Sequence, residues 1–271
     1  MTNRQDLTFF QRYEFFIRRL HSLSGLVPVG AFLCVHLIVN ASVLNSAATY
    51  QQNVYSIHWL DSILPVVEWL FIFLPIFFHG LFGFVIMWSG RPNNAAYPYP
   101  NNIRFTLQRA TGIIAFLFIV WHVLHMHGWF HMEWWLESIA FPLGGSKFRP
   151  FNATSTAAIA LQASYVVQAL YAIGVIACVY HLANGIWTMS ITWGVCISAA
   201  AQVRMTIVCT VFGVTLGVIG LGSLWGLATA DVQKAVEMED RMYESKVQSG
   251  EMRPNKHKRA ESLPGNEEDE E

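Results

Sequence analysis

Charged residues are scarce in this sequence. Only 13% of the 271 residues are charged, whereas 54% are hydrophobic, which leaves too little polar surface for a soluble domain of this length. The apolar residues also fall into blocks long enough to cross a lipid bilayer. The net charge of -1 provides no basic field for nucleic acid. The composition therefore excludes a soluble globular protein and a nucleic-acid-binding protein, and it predicts an integral membrane protein.

Cysteine is scarce as well, and its spacing excludes several kinds of cofactor site. The chain has four cysteines, each alone within an apolar segment: Cys34, Cys178, Cys196 and Cys209. They form neither a paired zinc spacing nor the C-x-x-C-H motif of covalently attached haem, and the sequence contains no dinucleotide-binding fingerprint. We expect these cysteines to pack as small apolar groups.

Hydropathy and charge predict an all-α membrane protein with five transmembrane helices, the first four forming a bundle. The predicted spans cover about residues 23–43, 64–88, 108–128, 157–189 and 205–229. Lys and Arg are absent from residues 44–63, which marks an outer loop and predicts a cytoplasmic N-terminus and an outer C-terminus. Residues 1–229 are predicted to form the membrane domain. Residues 230–271 are predicted to form a charged, largely disordered tail with one short helix.

What the sequence does contain is one histidine near the end of each of four apolar segments: His36, His79, His122 and His181. An ionisable residue in hydrocarbon is costly and usually faces a bundle interior, where it binds something. With a rise of about 1.5 Å per residue in antiparallel helices, two of them, His36 and His122, lie roughly 20 Å above the inner helix ends, and the other two lie roughly 12 to 15 Å above them. Two imidazoles at one depth on different helices can fill both axial positions of a haem iron. We therefore expect an outer pair and an inner pair around two haems.

Other interpretations of these histidines stay open. A single intramembrane histidine commonly makes only an interhelical hydrogen bond. A metal transporter would need acidic or Met ligands beside the histidines, and only Met126 lies near one in midspan. His125 competes with His122 because it lies three residues further on, on nearly the same helix face. The histidines near predicted interfaces, for which a solvated role is expected, are His21, His58, His127 and His131.

Small and basic residues accompany the four histidines. Gly25 and Gly174 share helix faces with His36 and His181, so a flat macrocycle could lie against the backbone there. Three arginines near the inner interface are candidate partners of haem propionates: Arg18, Arg19 and Arg109.

Five stretches carry a resemblance to a known family: FFIRRLHSLSGLVPVG at 15–30, FLCVHLIVN at 32–40, FIFLPIFFHGLFG at 71–83, LQRATGIIAFLFIVWHV at 107–123 and YHLANGIWTMSITWG at 180–194. With these motifs the chain resembles the cytochrome b subunit of succinate dehydrogenase or fumarate reductase, of the five-helix, two-haem type of menaquinone-using bacteria. The resemblance implies that His36 and His122 bind the iron of an outer haem b, and that His79 and His181 bind that of an inner one. The chain departs from the family pattern in a long loop between spans three and four and in its charged tail.

The resemblance also implies partners and a location. The chain would anchor a flavoprotein subunit bearing FAD and an iron–sulfur subunit to the bacterial inner membrane, and would exchange electrons between them and a quinone, menaquinone by the resemblance. No succinate chemistry is expected on this chain, because it lacks the motifs for flavin and clusters. Alternatives are the cytochrome b anchor of a hydrogenase or formate dehydrogenase, and a haem or metal transporter. A higher oligomer of the complex stays open.

Two residues are candidates for the quinone and proton chemistry. Glu68 lies about one turn into the membrane on the predicted outer side, where a carboxyl could exchange protons with a quinone. The predicted polar neighbours of Glu68 are His58, Asp61, His125 and His127. His21, beside Arg18 and Arg19, marks a rival inner site. The soluble partners are expected to dock on the inner face near Arg12, Arg18, Arg19 and the loop 91–109.

Overall fold

The computed structural model describes residues 9–58, 60, 63–88, 90, 92–130, 132–255 and 258–260. These residues are mainly helical, and the only β-type pairing among them is an isolated bridge between Arg149 and Asn152. The prediction of an all-α chain is confirmed. Three residues used in the sequence analysis lie outside the described ones: Asp61, Arg91 and His131.

The long helices follow one another along the chain. In order they are α1 (Arg12–Leu44), α2 (Ala47–His58), α3 (Leu64–Trp88), α4 (Pro100–His127), α5 (Ala153–Gln162), α6 (Tyr165–Thr192), α7 (Ala199–Ala228) and α8 (Val232–Gln248). The backbone of α1 is helical from Phe9 onward. A short helical segment, Glu133–Trp135 continuing into Leu136–Ala140, lies in the long connection before α5. Within the described part of the chain, α1, α3, α4, α6 and α7 are long and apolar enough to cross a membrane.

Some boundaries differ from the predicted ones for local reasons. The predicted fourth span, 157–189, is two helices, because Ser164 interrupts it and its Oγ accepts a hydrogen bond from the N–H of Val167 at the start of α6. Helix α4 starts eight residues earlier than predicted, at Pro100, where the fixed φ of proline suits a first helical position.

Widened helical turns interrupt three of the spans. They cover Gly25–Gly30 in α1, Trp69–Phe73 in α3 and Val123–His127 in α4. The turn in α3 ends two residues before Pro75, which has no N–H to donate to the carbonyl of Phe71. The turn in α4 ends at Gly128, which has a φ of 84°, a conformation that favours glycine. Each of these spans carries a candidate histidine.

The chain divides into two compact units. The first comprises Met1–Val35, Ile63–Phe116 and Ile176–Leu216, and the second comprises His36–Ser62, Leu117–Val175 and Gly217–Glu271. The first unit contains His79 and His181, and the second contains His36 and His122. Each unit therefore holds one of the two histidine pairs that depth predicts.

The helix predicted in the tail is present, and it is longer than expected and packed against other helices. Helix α8 has 17 residues and packs against α2 and α5 in the second unit. Its buried face carries Ala235, Glu239 and Tyr243, spaced four residues apart, which is the spacing of one helix face. This part of the tail is thus folded, because its apolar stripe and one buried carboxylate have partners elsewhere in the chain.

Candidate functional site

The inner candidate pair lies between α3 and α6 in the first unit. The imidazole rings of His79 and His181 have centroids 6.0 Å apart and planes inclined at 84°. The ring of His21 stacks on that of His79, with centroids 4.1 Å apart and planes 11° from parallel. The structure therefore brings together the two histidines that sequence paired, and adds a third that sequence assigned to an interface.

Backbone carbonyls fix the tautomer of both inner histidines. Nδ1 of His79 lies 2.9 Å from the carbonyl oxygen of His21, and Nδ1 of His181 lies 3.0 Å from that of Gln108. A carbonyl can only accept, so each Nδ1 carries the proton. Each Nε2 is then unprotonated, which is the state in which histidine binds a metal while its other nitrogen donates to a backbone oxygen.

Two glycines let the inner rings lie against neighbouring helices. A Cβ added at Gly25 would overlap the ring of His79, and one at Gly112 would lie 2.8 Å from Cε1 of His181. Real Cβ atoms essentially never approach a heavy atom that closely. Glycine at these positions is therefore required for the observed ring positions.

The outer candidate pair lies in the second unit. His36 of α1 and His122 of α4 have ring centroids 5.9 Å apart and planes inclined at 73°. Phe118 stacks on His122 at 5.6 Å. On the other side of the pair, Asn40 donates to the backbone carbonyl of His36 over 2.7 Å and accepts from the hydroxyl of Tyr50 over 3.1 Å.

The separation of the rings in both pairs is close to that of two imidazoles bound to one iron. A metal–imidazole bond is about 2 Å long, so two imidazoles on opposite sides of one iron have centroids roughly 6 Å apart. The observed distances are 5.9 and 6.0 Å. In a bis-histidine haem each pair would supply two protein ligands, and the porphyrin would supply the remaining nitrogens. Among the described residues, no group of three or more His, Cys, Asp or Glu side chains gathers to hold a metal ion.

Comparison with known proteins decides the family. The succinate dehydrogenase cytochrome b558 subunit of Bacillus subtilis (strain 168) is 34% identical to this chain over 215 residues, covering 78% of this chain and 96% of that protein. No protein-family model matches. The chain belongs to the succinate dehydrogenase cytochrome b subunit family.

In this cytochrome b subunit, the three arginines predicted near propionates all have protein contacts in the first unit. Arg18 forms an ion pair with Glu14 at 2.7 Å. Arg19 lies over the rings of Phe15 and Trp193 at 4.9 and 5.6 Å. Arg109 donates to the carbonyl of Gly90 and lies over the ring of Phe105 at 3.9 Å. Their role toward propionates stays a prediction.

The candidate quinone residues lie in different surroundings. Glu68 is half-buried in α3, in the first unit. The second unit holds His58, His125 and His127, so their proximity to Glu68 stays a prediction. His21 lies directly against His79, as described above.

The sequence did not predict a series of hydrogen-bonded polar side chains next to His181. Arg104 stacks on Trp187 at 3.8 Å and donates from Nε to Asn184 over 2.8 Å. Asn184 donates to Oε1 of Gln108 over 2.8 Å, and Gln108 donates to the backbone carbonyl of His181 over 3.1 Å. One signal was available, because Gln108 precedes Gly112 by four residues and so shares its helix face.

The tyrosine of the outer pair was also missed. The hydroxyl of Tyr171 lies 3.2 Å from Nδ1 of His122 and 2.9 Å from Nδ1 of His125. A tyrosine in an apolar helix carries no sequence signal for such a contact, because its partners lie 49 and 46 residues away. The cytochrome b fold alone brings these three side chains together.

Proposed function

We propose that this chain is the dihaem membrane anchor of a succinate:quinone oxidoreductase, and that it passes electrons between an iron–sulfur subunit and menaquinone. The proposal rests on two pairs of histidines. In each pair the ring centroids are about 6 Å apart, a distance that suits two ligands of one iron. The family supports it, since the relative is named as a succinate dehydrogenase subunit. FAD and the iron–sulfur clusters belong to the partner subunits, and the complex lies in the bacterial inner membrane.

The residues of the chain hold and orient the two haems. His79 and His181 would bind the inner iron, and His36 and His122 the outer iron, each through Nε2. The carbonyls of His21 and Gln108 keep the inner imidazoles in the ligating tautomer. A bound haem b supplies a one-electron couple whose potential responds to its ligands and to the hydrogen bonds around them.

Purification through a tag on this chain tests the proposal. We expect the flavoprotein and iron–sulfur subunits to co-purify, two haems b per copy of this chain, and reduction of both haems by succinate. Recovery of the partners with a haem-free chain would contradict the haem assignment. Recovery of a haem-loaded chain with a hydrogenase or formate dehydrogenase would contradict the succinate assignment.

For the quinone, we propose a site beside the outer haem, with Glu68 and one outer histidine exchanging the two protons. The half-buried position of Glu68 and the need for a proton carrier at a quinone site support it. The rival inner site at His21 is supported by the stacking of His21 on His79.

Two substitutions separate these quinone sites. Glu68→Gln keeps the shape of the side chain but cannot carry the proton, and His21→Ala removes the stacked ring while keeping the carbonyl that holds His79. Quinone-linked succinate activity is compared with dye-linked activity in each variant. The outer site predicts that only Glu68→Gln loses quinone-linked activity, whereas loss in His21→Ala alone, with both haems present, would move the site inward.

A further inference from the structure

The hydroxyl of Tyr171 lies between two imidazole nitrogens. Its distances to Nδ1 of His122 and Nδ1 of His125 are 3.2 and 2.9 Å. The tyrosine is only 7% exposed, and it lies in a buried cluster together with the side chains of Tyr50 and Leu161. Packing of its ring therefore holds the hydroxyl in place.

The single hydroxyl of Tyr171 must form different hydrogen bonds with the two histidines. A phenol has one proton to donate, and its oxygen can accept another. Since both contacts involve Nδ1, only one of the two histidines can receive the tyrosine proton. The other histidine must donate its Nδ1 proton to the tyrosine oxygen.

The position of His36 indicates which histidine donates to Tyr171 and which accepts from it. His122 faces His36 with a centroid distance of 5.9 Å, whereas His125 stacks on Trp121 at 4.8 Å. A histidine that binds iron through Nε2 carries its proton on Nδ1, so His122 donates to Tyr171. His125 then accepts from Tyr171 and carries its own proton on Nε2. A protonated Nε2 cannot bind a metal.

We propose that Tyr171 is a positioning residue of the outer site: its hydroxyl holds His122 and His125 in opposite tautomers, selects His122 as the ligand and tunes the outer haem. The inference rests on the proposed bis-histidine haems. In the outer pair the tyrosine hydroxyl accepts the Nδ1 proton of the ligand, as the carbonyls of His21 and Gln108 do in the inner pair.

The hydrogen bond also has a redox consequence. An acceptor at Nδ1–H makes the imidazole a more basic ligand, and a more basic ligand stabilises ferric over ferrous iron. The hydroxyl of Tyr171 is a strengthened acceptor because it donates to His125 at the same time. Its removal should therefore raise the midpoint potential of the outer haem and leave that of the inner haem unchanged.

The test compares Tyr171→Phe with Tyr243→Phe in the purified complex. Both variants remove one buried tyrosine hydroxyl from the second unit, but the hydroxyl of Tyr243 accepts from the N–H of Asn255 rather than contacting an imidazole. Redox titration and electron paramagnetic resonance are recorded for both haems. We expect Tyr171→Phe to keep two haems, to raise the outer potential and to move the outer ferric signal, whereas Tyr243→Phe leaves both potentials near those of the wild type.

Two further variants keep the inference testable if Tyr171→Phe does not assemble. His125→Ala should keep the outer haem, and His122→Ala should lose it. An unchanged outer potential in Tyr171→Phe, or a shift matched by Tyr243→Phe, would overturn the role of Tyr171 while leaving the haems in place. Loss of the outer haem in His125→Ala, or retention of both haems in His122→Ala, would move the ligand to His125 and overturn the choice of His122. Absence of the outer haem from the wild-type complex would overturn the underlying haem assignment instead.

Discussion

At the scale of single residues, the position of the His79 ring depends on the absence of a side chain at Gly25. Gly25 faces the ring of His79 with no room for a methyl group. Gly83, on α3, has ordinary space, because an added Cβ would lie 3.5 Å from Nε2 of His21. The two glycines therefore form a matched pair for substitution.

We predict that Gly25→Ala displaces the His79 ring and lowers the content of the inner haem, whereas Gly83→Ala changes it little. The physical reason is overlap with a ring that is held by one hydrogen bond and one stacking contact; overpacking of this kind costs about 1–3 kcal/mol. Reduced-minus-oxidised spectra of the purified complex measure each haem, with the outer haem as internal control. Equal haem contents in the two variants would contradict the role of Gly25.

The sequence predicted the four histidines but not the groups that orient them. His36, His79, His122 and His181 stand out because a histidine that ends an apolar run needs a reason to be there. The carbonyls of His21 and Gln108 carry no residue signature, since every residue has one. The orienting groups are therefore visible only once the fold has placed them.

At the scale of secondary-structure elements, α8 is joined to α5 by a buried carboxylate. Glu239 is 0% exposed. It accepts hydrogen bonds from the N–H of Thr154 over 2.6 Å, the N–H of Ser155 over 3.2 Å and the hydroxyl of Ser155 over 2.5 Å. From α2, Gln51 accepts from the N–H of Ala153 over 2.8 Å. The first turn of α5 thus obtains its hydrogen-bond partners from two other helices, which satisfies the free N–H groups of a helix start.

Burial raises the pKa of Glu239, although its hydrogen bonds with Ser155 and Thr154 partly oppose the shift. Between the ordinary pKa and the raised one, the folded state binds the proton more tightly than the unfolded state. The free energy of unfolding of α8 therefore falls as pH rises through this window, and it is constant above it. Glu239→Gln cannot titrate, and its amide oxygen can accept from the N–H groups of Thr154 and Ser155 while its amide nitrogen donates to the hydroxyl of Ser155.

We predict that amide protection of residues 232–248, corrected for intrinsic exchange, declines with rising pH in the wild type and is independent of pH in Glu239→Gln. Hydrogen–deuterium exchange of the purified complex measures it. A matched control is Glu237→Gln, because Glu237 lies on the same helix but is not part of its buried face. Identical pH profiles for the wild type and Glu239→Gln would contradict the account.

Charge in the tail explains why the sequence did not predict the packing of α8. The tail carries 12 acidic and 7 basic residues, a composition typical of disorder. The face of Ala235, Glu239 and Tyr243 has helical spacing, but its central residue is a carboxylate, which sequence patterns assign to solvent. The N-terminus of α5 gives that carboxylate its buried partners.

At the scale of the whole molecule, the structure changes where topology should be probed. Arg104 falls within the loop 91–109 that the sequence predicted on the inner face, but it lies within α4 and donates a hydrogen bond to Asn184. Its side chain already forms contacts within the protein, so it is less suited to contact a soluble partner. Ala96, an exposed residue between α3 and α4, is a better position for a reporter.

We predict that a reporter inserted after Ala96 lies in the cytoplasm and that one after Glu271 lies outside. The reason is an odd number of spans together with the distribution of Lys and Arg in the loops. Paired alkaline phosphatase and green fluorescent protein fusions measure the side directly. Both reporters on one side would contradict the five-span topology, and a reporter outside at Ala96 would move the partner-binding face.

The central claim is that two histidine pairs, one in each unit, bind two haems. Haem content and redox spectra of the complex carrying single His→Ala changes at positions 36, 79, 122 and 181 test it most directly. We predict that the changes at 36 and 122 remove one and the same haem signal, and that those at 79 and 181 remove the other. Retention of both haems in any of the four variants, or loss of one haem signal in all four, would contradict the claim.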